Sequence, residues 1–420
     1  MKRIYLDYAA TFPTKKTVLQ AMQPYFLDKF GNPSSLHSFG QEARAGVDWA
    51  REQVAKFLNC KPTEIIFTSG GTESDNLAIR GVIEGQRAKS KEQKLPHIIT
   101  SAIEHHAVLH TCQDLEKKGL AEVTYLQVDK FGRVSVSDVR KAIKENTVLV
   151  SIMYANNEIG TVEQIREIGK MIEKIRNPKS AIVPIRNKSQ IPNLKSQILF
   201  HTDAVQAIGY LNCDVKYLHV DMLSLSAHKF GGPKGVGALY VKEGINLVPE
   251  ITGGGQEYKK RAGTENVPAI VGLSAAIATI NNQQSTINKI QKLRDKLIDG
   301  ILREIPDVIL TGHPKERLPN IASFCFKYIE GESIMLNLDL KGVAVSTGSA
   351  CTSGSLQPSH VLMACGFNHE TAQGSIRFSL GEDTTEEEID YVLKILPPIV
   401  KRLRKMSPFG KEKLKIKNTN

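Results

Sequence analysis

His228 and Lys229, in DMLSLSAHKFGGPKGVGALYV, follow an apolar run and precede a glycine-rich turn. A lysine at a strand end among apolar neighbours is favoured as the free amine, which suits Schiff-base chemistry. Lys234, in the turn itself, reads as an exposed loop residue. In ILFHTDAVQ, Asp203 ends a run that reads as buried, and Gln206 follows it. A carboxylate there needs a cation or strong donor, or else it is a helix N-cap. FTSGGTES sets Gly70, Gly71 and Thr72 ahead of a helix expected to open at Glu73 or Ser74. Paired glycines admit an anion close to the backbone, and a helix start offers free N–H groups. The same residues also read as a turn and a cap, and they lack the G-x-x-x-x-G-K-[ST] of a P-loop. SAIEHHAVLH adds His105 and His106, one suited to stacking on a planar ligand and the other to the surface.

Seven β-branched or apolar runs position these residues: 64–69, 97–101, 122–128, 147–153, 198–203, 221–226 and 237–241. Helix-like stretches at 41–58, 107–118, 137–144 and 163–176 lie between them, which predicts an α/β domain on a largely parallel sheet. Ligands of such sheets sit beyond the carboxyl ends of the strands, where the four loops fall. An anion cradle, a carboxylate, a lysine amine and a stacking histidine together fit pyridoxal phosphate, whose phosphate, ring nitrogen and aldehyde need such partners. Residues 269–303 read as one long amphipathic helix, followed by a second strand–helix set.

The length of 420 residues predicts two to three domains at about 150 residues each. Composition, with 41% hydrophobic and 24% charged residues, excludes fibrous and strongly disordered classes. No run is long and apolar enough for a membrane span, and no apolar signal core opens the sequence, so the expected location is the cytoplasm. The net charge of +11 is concentrated in residues 401–420 and 174–197, leaving a near-neutral body, so direct nucleic-acid binding is not expected. Residues 177–197, with three prolines among lysines, read as an irregular insertion. The six cysteines show no zinc or disulfide spacing. Cys60, Cys112, Cys213, Cys325 and Cys365 read as core residues, whereas Cys351, in VSTGSACTSGSLQPS, reads as an accessible loop thiol.

Taken together, GNPSS (31–35), FTSGGTESDNLA (67–78), ANNEIGT (155–161), HTDAVQ (201–206), SAHKFGGPKGVGALY (226–240), RAGTENVP (261–268), STGSACTSGS (346–355) and SIRFSLG (375–381) carry a resemblance. The chain resembles the cysteine desulfurases, class V aminotransferase-like enzymes of pyridoxal-phosphate fold type I, from residue 5 to about 408. The resemblance implies a large domain, 16–275, with a mainly parallel seven-stranded sheet, and a smaller α/β domain, 1–15 with 276–408, carrying the cysteine loop. Residues 409–420 would be a basic tail.

It further implies that Lys229 anchors the cofactor, Asp203 pairs with its ring nitrogen, and His105 stacks on the ring. Asn157 and Gln206 would hold the ring hydroxyl side. Gly71, Thr72, Ser226 and His228 would hold the phosphate, with Thr264 reaching it from the neighbouring subunit of a homodimer. Arg377 would grip the carboxylate of L-cysteine, with Asn157 nearby. Cys351 would take the sulfur as a persulfide, releasing alanine, and pass it to an acceptor protein for iron–sulfur cluster assembly or tRNA thiolation. His105 or Lys229 would carry protons. No metal site is implied, apart from Cys351 as a transient iron–sulfur ligand. The alternatives are a selenocysteine lyase, a class V aminotransferase, or a scaffold without chemistry. Phe12 departs from the family's usual threonine, and the basic insertion and tail depart from the housekeeping bacterial enzymes.

Overall fold

The computed structural model describes residues 3–89, 94–177, 198–280, 284–348 and 357–408. Cys351, nearly all of the 177–197 segment and the 409–420 tail lie outside the described residues. In chain order the strands are β1 (Ile4–Tyr5), β2 (Ile65–Thr68), β3 (His97–Ser101), β4 (Glu122–Leu126), β5 (Thr147–Ser151), β6 (Leu199–Asp203), β7 (Met222–Ser226) and β8 (Gly237–Val241), then β9 (Val308–Leu310), β10 (Ile321–Phe326), β11 (Val343–Ala344) and β12 (Ser375–Ser379).

Each of the seven runs between 64 and 241 contains a strand, and these form one sheet in the order β2-β8-β7-β6-β5-β3-β4. Only β8 opposes its neighbours; the β7–β6, β6–β5, β5–β3 and β3–β4 pairings are parallel. The cause is the connection: residues 227–236 are fewer than the roughly dozen that a parallel crossover needs.

Both faces of this sheet are buried, and the two-residue strand period divides its side chains between them. Ile99, Val150, Phe200 and Leu223 pack on one face with Val47, Val54, Ile168 and Leu273. Ile98, Leu149, Leu199 and Met222 pack on the other with Leu77, Ile79, Val108 and Cys112. The layers over the first face are the helices Ser38–Leu58, Ile165–Arg176 and Val267–Ile280; over the second they are Gly71–Lys89 and His106–Lys117. His201 and Asp203 alternate with Phe200, so they share the second face with Leu199, beneath Gly71–Lys89.

A separate apolar cluster joins Ile4 and Leu6 to Leu297, Phe324, Ile334, Phe378, Val392 and Val400. It lies on the antiparallel sheet β12-β10-β9 and the helices Gln284–Glu304, Gly331–Asp339 and Glu386–Met406. Of the long helix expected at 269–303, Val267–Ile280 and Gln284–Glu304 are helical, and residues 281–283 between them lie outside the described residues. They serve different cores: Val267–Ile280 is apolar nearly all round, and Gln284–Glu304 is amphipathic. The chain's first strand belongs with its last third, because β1 pairs in parallel with β11, Ile4 opposite Val343 and Tyr5 opposite Ala344.

Candidate active site

The residues singled out for chemistry converge beyond the carboxyl ends of β6 and β7. Lys229 ends a single 3-10 turn after β7, and its Nζ donates to the carbonyls of Ala9 at 2.7 Å and Ala10 at 2.8 Å. Gln206 Nε2 donates to the same Ala9 carbonyl at 3.0 Å. The N-terminal segment therefore forms one wall, secured further by the Phe12 amide, which donates to the His228 carbonyl at 2.8 Å. Phe12 is buried edge-on against Tyr8, with ring centroids 4.8 Å apart.

Asp203 is 6% exposed, and its Oδ1 accepts from the Val205 amide at 2.9 Å. Burial raises its pKa to about 6, against the lowering effects of that hydrogen bond and of nearby Lys229. His105 N-caps His106–Lys117, its Nδ1 accepting from the Ala107 amide at 3.1 Å. Burial first, and then Lys229, lower its pKa to about 4, so the ring is neutral at physiological pH. His228 is lowered to about 4 by the same two causes, with Lys234 adding to them, and its Nδ1 lies 3.1 Å from Thr11 Oγ1. Lys234 is exposed. His106, expected at the surface, is half-buried because it stacks on His110 at 4.4 Å and packs against His360 at 4.8 Å.

The Gly-Gly-Thr turn differs from its expected form in register. The helix opens at Gly71, so Gly71 and Thr72 lie in its first turn, with N–H groups that have no intrahelical acceptor. Two contacts set this start: the Ser74 amide donates to the Gly70 carbonyl at 3.1 Å, and the Thr68 and Ser74 hydroxyls meet at 2.8 Å. Gly70 has φ +155°, and a Cβ on Gly71 would lie 2.7 Å from Val205 Cγ2 and 3.7 Å from Ser226 Cβ. A side chain at Gly70 would be strained, and one at Gly71 would clash with Val205, which packs against this turn. Arg261 pairs with Glu73 in the same turn at 2.9 Å, and Thr264, three residues later, is exposed.

Arg377 sits mid-strand in β12, 3% exposed. Its Nη1 donates to the Asn157 carbonyl and its Nη2 to Asp7 Oδ1, both at 2.8 Å, while Nε finds no acceptor among the described residues. Beside it, Glu158 accepts from the Ser359 hydroxyl, and burial raises its carboxyl pKa to about 7.

Three buried acids near the site escaped the sequence reading: Asp75, Glu104 and Glu158. A signal existed for Asp75, which stands at i on the apolar stripe Ala78, Ile79, Val82 of its helix. Glu104 and Glu158 lie in loops, where no periodicity marks burial. Cys112, Cys213, Cys325 and Cys365 are buried as expected, and Cys60 is half-buried with its thiol pushed up to about 12, chiefly by burial.

Residues 4–185 and 181–392 match the model of the family aminotransferase class-V. Over 97% of its length the chain is 51% identical to a relative named cysteine desulfurase IscS from Methanosarcina thermophila, 94% of which is covered. This chain is a member of the class V aminotransferase family, among its cysteine desulfurases. Solved structures of similar chains agree in fold. A NifS-like protein shares 38% identity at a TM-score of 0.84, over 96% of this chain and all of that one. SspA, solved in complex with cysteine, shares 35% identity at a TM-score of 0.76, over 91% of this chain and 100% of the other. The mainly parallel sheet is that of fold type I, as the resemblance implied. No helix among the described residues is long and apolar enough to cross a membrane.

Proposed function

We propose that this cysteine desulfurase uses pyridoxal phosphate held by Lys229, Asp203, His105, Gln206, Asn157, Gly71, Thr72, Ser226 and His228. One observation carries the reading: the Lys229 amine lies close enough to the Asp203 carboxyl at the end of β6 and to the neutral His105 ring after β3 to lower the pKa of both, beside a helix that opens on Gly71. The donor set fits the group: a lysine amine for the aldehyde, a buried acid for the ring nitrogen, and a glycine cradle with free N–H groups for the phosphate. Bound there, pyridoxal phosphate supplies an electron sink that loosens bonds at the substrate's α- and β-carbons.

The protein's own residues do the rest. Asp203 keeps the ring nitrogen charged, and His105, neutral at physiological pH, covers the ring and accepts or returns a proton. Arg377 offers its guanidinium to the carboxylate of L-cysteine, and cysteine is the compound with which the SspA relative was solved in complex. The Cys351 thiolate attacks the substrate sulfur; a new S–S bond forms, the substrate's C–S bond breaks, and protonation at carbon yields L-alanine. The resulting persulfide passes to an acceptor protein for iron–sulfur cluster assembly or tRNA thiolation, with Cys351 as a transient iron–sulfur ligand.

We place the division between large and small domains at 16–275 and at 1–15 with 276–408. Exposed Thr264 is assigned to the neighbouring subunit's phosphate site in a homodimer. Exposed Phe26, Leu27, Phe30, Leu36 and Phe39 supply an apolar surface that such a dimer would cover.

The test is a visible absorbance spectrum of the purified protein with pyridoxal phosphate, followed by addition of cysteine. A yellow protein that forms alanine and sulfide in equal amounts under reductant, and loses both on Cys351→Ser, bears the reading out. A protein that stays colourless with the cofactor, a keto acid as main product, or unchanged cysteine turnover in Cys351→Ser overturns it.

A further inference from the structure

Behind Asp203 lies a buried polar chain with no counterpart in the proposed chemistry. On the face of the sheet under Gly71–Lys89, Ser151 of β5 lies 2.9 Å from His201 Nδ1, and His201 Nε2 lies 2.9 Å from Ser224 Oγ of β7. Ser224 is also hydrogen-bonded to Asp75. Ser224 has one hydroxyl hydrogen, so it donates to either Asp75 or His201 Nε2 and accepts from the other, and in each arrangement one His201 nitrogen bears a proton and the other accepts. His201 is therefore the neutral tautomer, consistent with its complete burial. Its Nε2 is 3.6 Å from Asp75 Oδ1, beyond a hydrogen bond, and Ser224 Oγ is the nearer partner at 2.9 Å.

The charge in this cluster is then decided by donors. Asp75 projects from the helix, Asp203 from β6 two residues beyond His201, and Glu104 from the loop after β3; all three are buried, and Lys229 is the base that faces Asp203. Asp75 Oδ1 and Glu104 Oε2 find no partner among the described residues, whereas Asp203 has the Val205 amide and Lys229. An ionised carboxylate with an undonated buried oxygen is the costlier state. Mutual repulsion further disfavours a second charge.

We propose that Asp75 is a positioning residue for Asp203: a proton-bearing acid that closes the serine–histidine chain and leaves the cluster's negative charge on Asp203, beneath the cofactor ring. This rests on the proposed role of Asp203. Burial, with Asp203 and Glu104 nearby, holds the Asp75 carboxyl well above the usual carboxylate range, which agrees.

Infrared difference spectra of the apoprotein test the protonation without the cofactor. Asp75→Asn should remove one protonated-acid carbonyl stretch at neutral pH, with Glu104→Gln removing a second, separate one. Loss of a carboxylate band in Asp75→Asn overturns the proposal. Ser224→Ala, which spares the acid, should move the Asp75 stretch to higher frequency; an unmoved stretch also overturns it. In the holoenzyme Asp75→Ala should weaken pyridoxal-phosphate binding by about tenfold, and Asp75→Asn by no more than about threefold, because the amide keeps the neutral acid's shape and acceptor. Equal losses in both overturn it. Asp203→Asn separates the two readings: wild-type cofactor binding there removes the assigned role of Asp203, and the infrared result for Asp75 stands on its own.

Discussion

Two buried arginines show how the same side chain serves as a lock in one region and a socket in another. Arg51, in Ser38–Leu58, meets Glu257 with both terminal nitrogens, at 2.8 and 2.7 Å, and donates to the Ile65 carbonyl at 2.6 Å. Its guanidinium lies 4.7 Å from the Phe67 ring centre and 5.2 Å from that of Tyr258. The pairing also holds Glu257, Tyr258 and Lys259 in three successive positive-φ conformations. Arg377 is as deeply buried, but its fork is divided between a single oxygen of Asp7 and a main-chain carbonyl. A carboxylate that fills the fork is already at home at Arg51; at Arg377 an incoming one gains geometry that Asp7 does not use.

The largest expected effect tests the lock. Arg51→Ala leaves Glu257 buried without its partner and should cost about 3–5 kcal/mol in chemical unfolding, with KM for cysteine within about twofold of wild type. Next, Arg377→Lys should lower kcat/KM for cysteine about 100-fold, equivalent to about 2.7 kcal/mol, with the cofactor spectrum retained. If Arg51→Lys produces the same kinetic loss, the distinction between the two sites fails. Asp7→Asn should sharpen it: weakening the competitor for Arg377 should lower KM about threefold, and a tenfold rise would instead make Asp7 an orienting group.

The smallest effect concerns a buried carboxyl with no arginine fork. Glu163 takes the Val134 amide at 3.0 Å, and burial lifts its pKa from 4.5 to about 8. Between those values the folded chain keeps a proton that the unfolded chain has lost, so stability falls as pH rises across that window. Glu163→Gln should flatten that fall in thermal unfolding measured across the window.

The seven large-sheet strands were legible because both faces of that sheet are buried, which writes continuous apolar runs into the sequence. Strand direction was not written there: GALYV reads the same either way, and only the short connection from β7 turns β8 around. Lys229, Asp203 and His105 were legible as residue types out of place at strand ends. Arg377 and Asp7 were not legible as a pair from spacing, since their contact depends on β12 and the N-terminal segment meeting in three dimensions. Asp75 was obscured by its neighbours Glu73, Ser74 and Asn76, which made a buried acid look like part of a solvated face.

The parallel pairing of β1 with β11 has a consequence during synthesis. Ile4 leaves the ribosome well before Val343 and must wait for it, since at about 5–20 residues per second Val343 emerges on the order of tens of seconds later. Ala9 and Ala10, whose carbonyls hold Lys229, lie a few residues past Ile4. A nascent chain can therefore complete its large sheet while the wall around the Lys229 amine is still unbuilt, and that wall is secured only once β11 has been made.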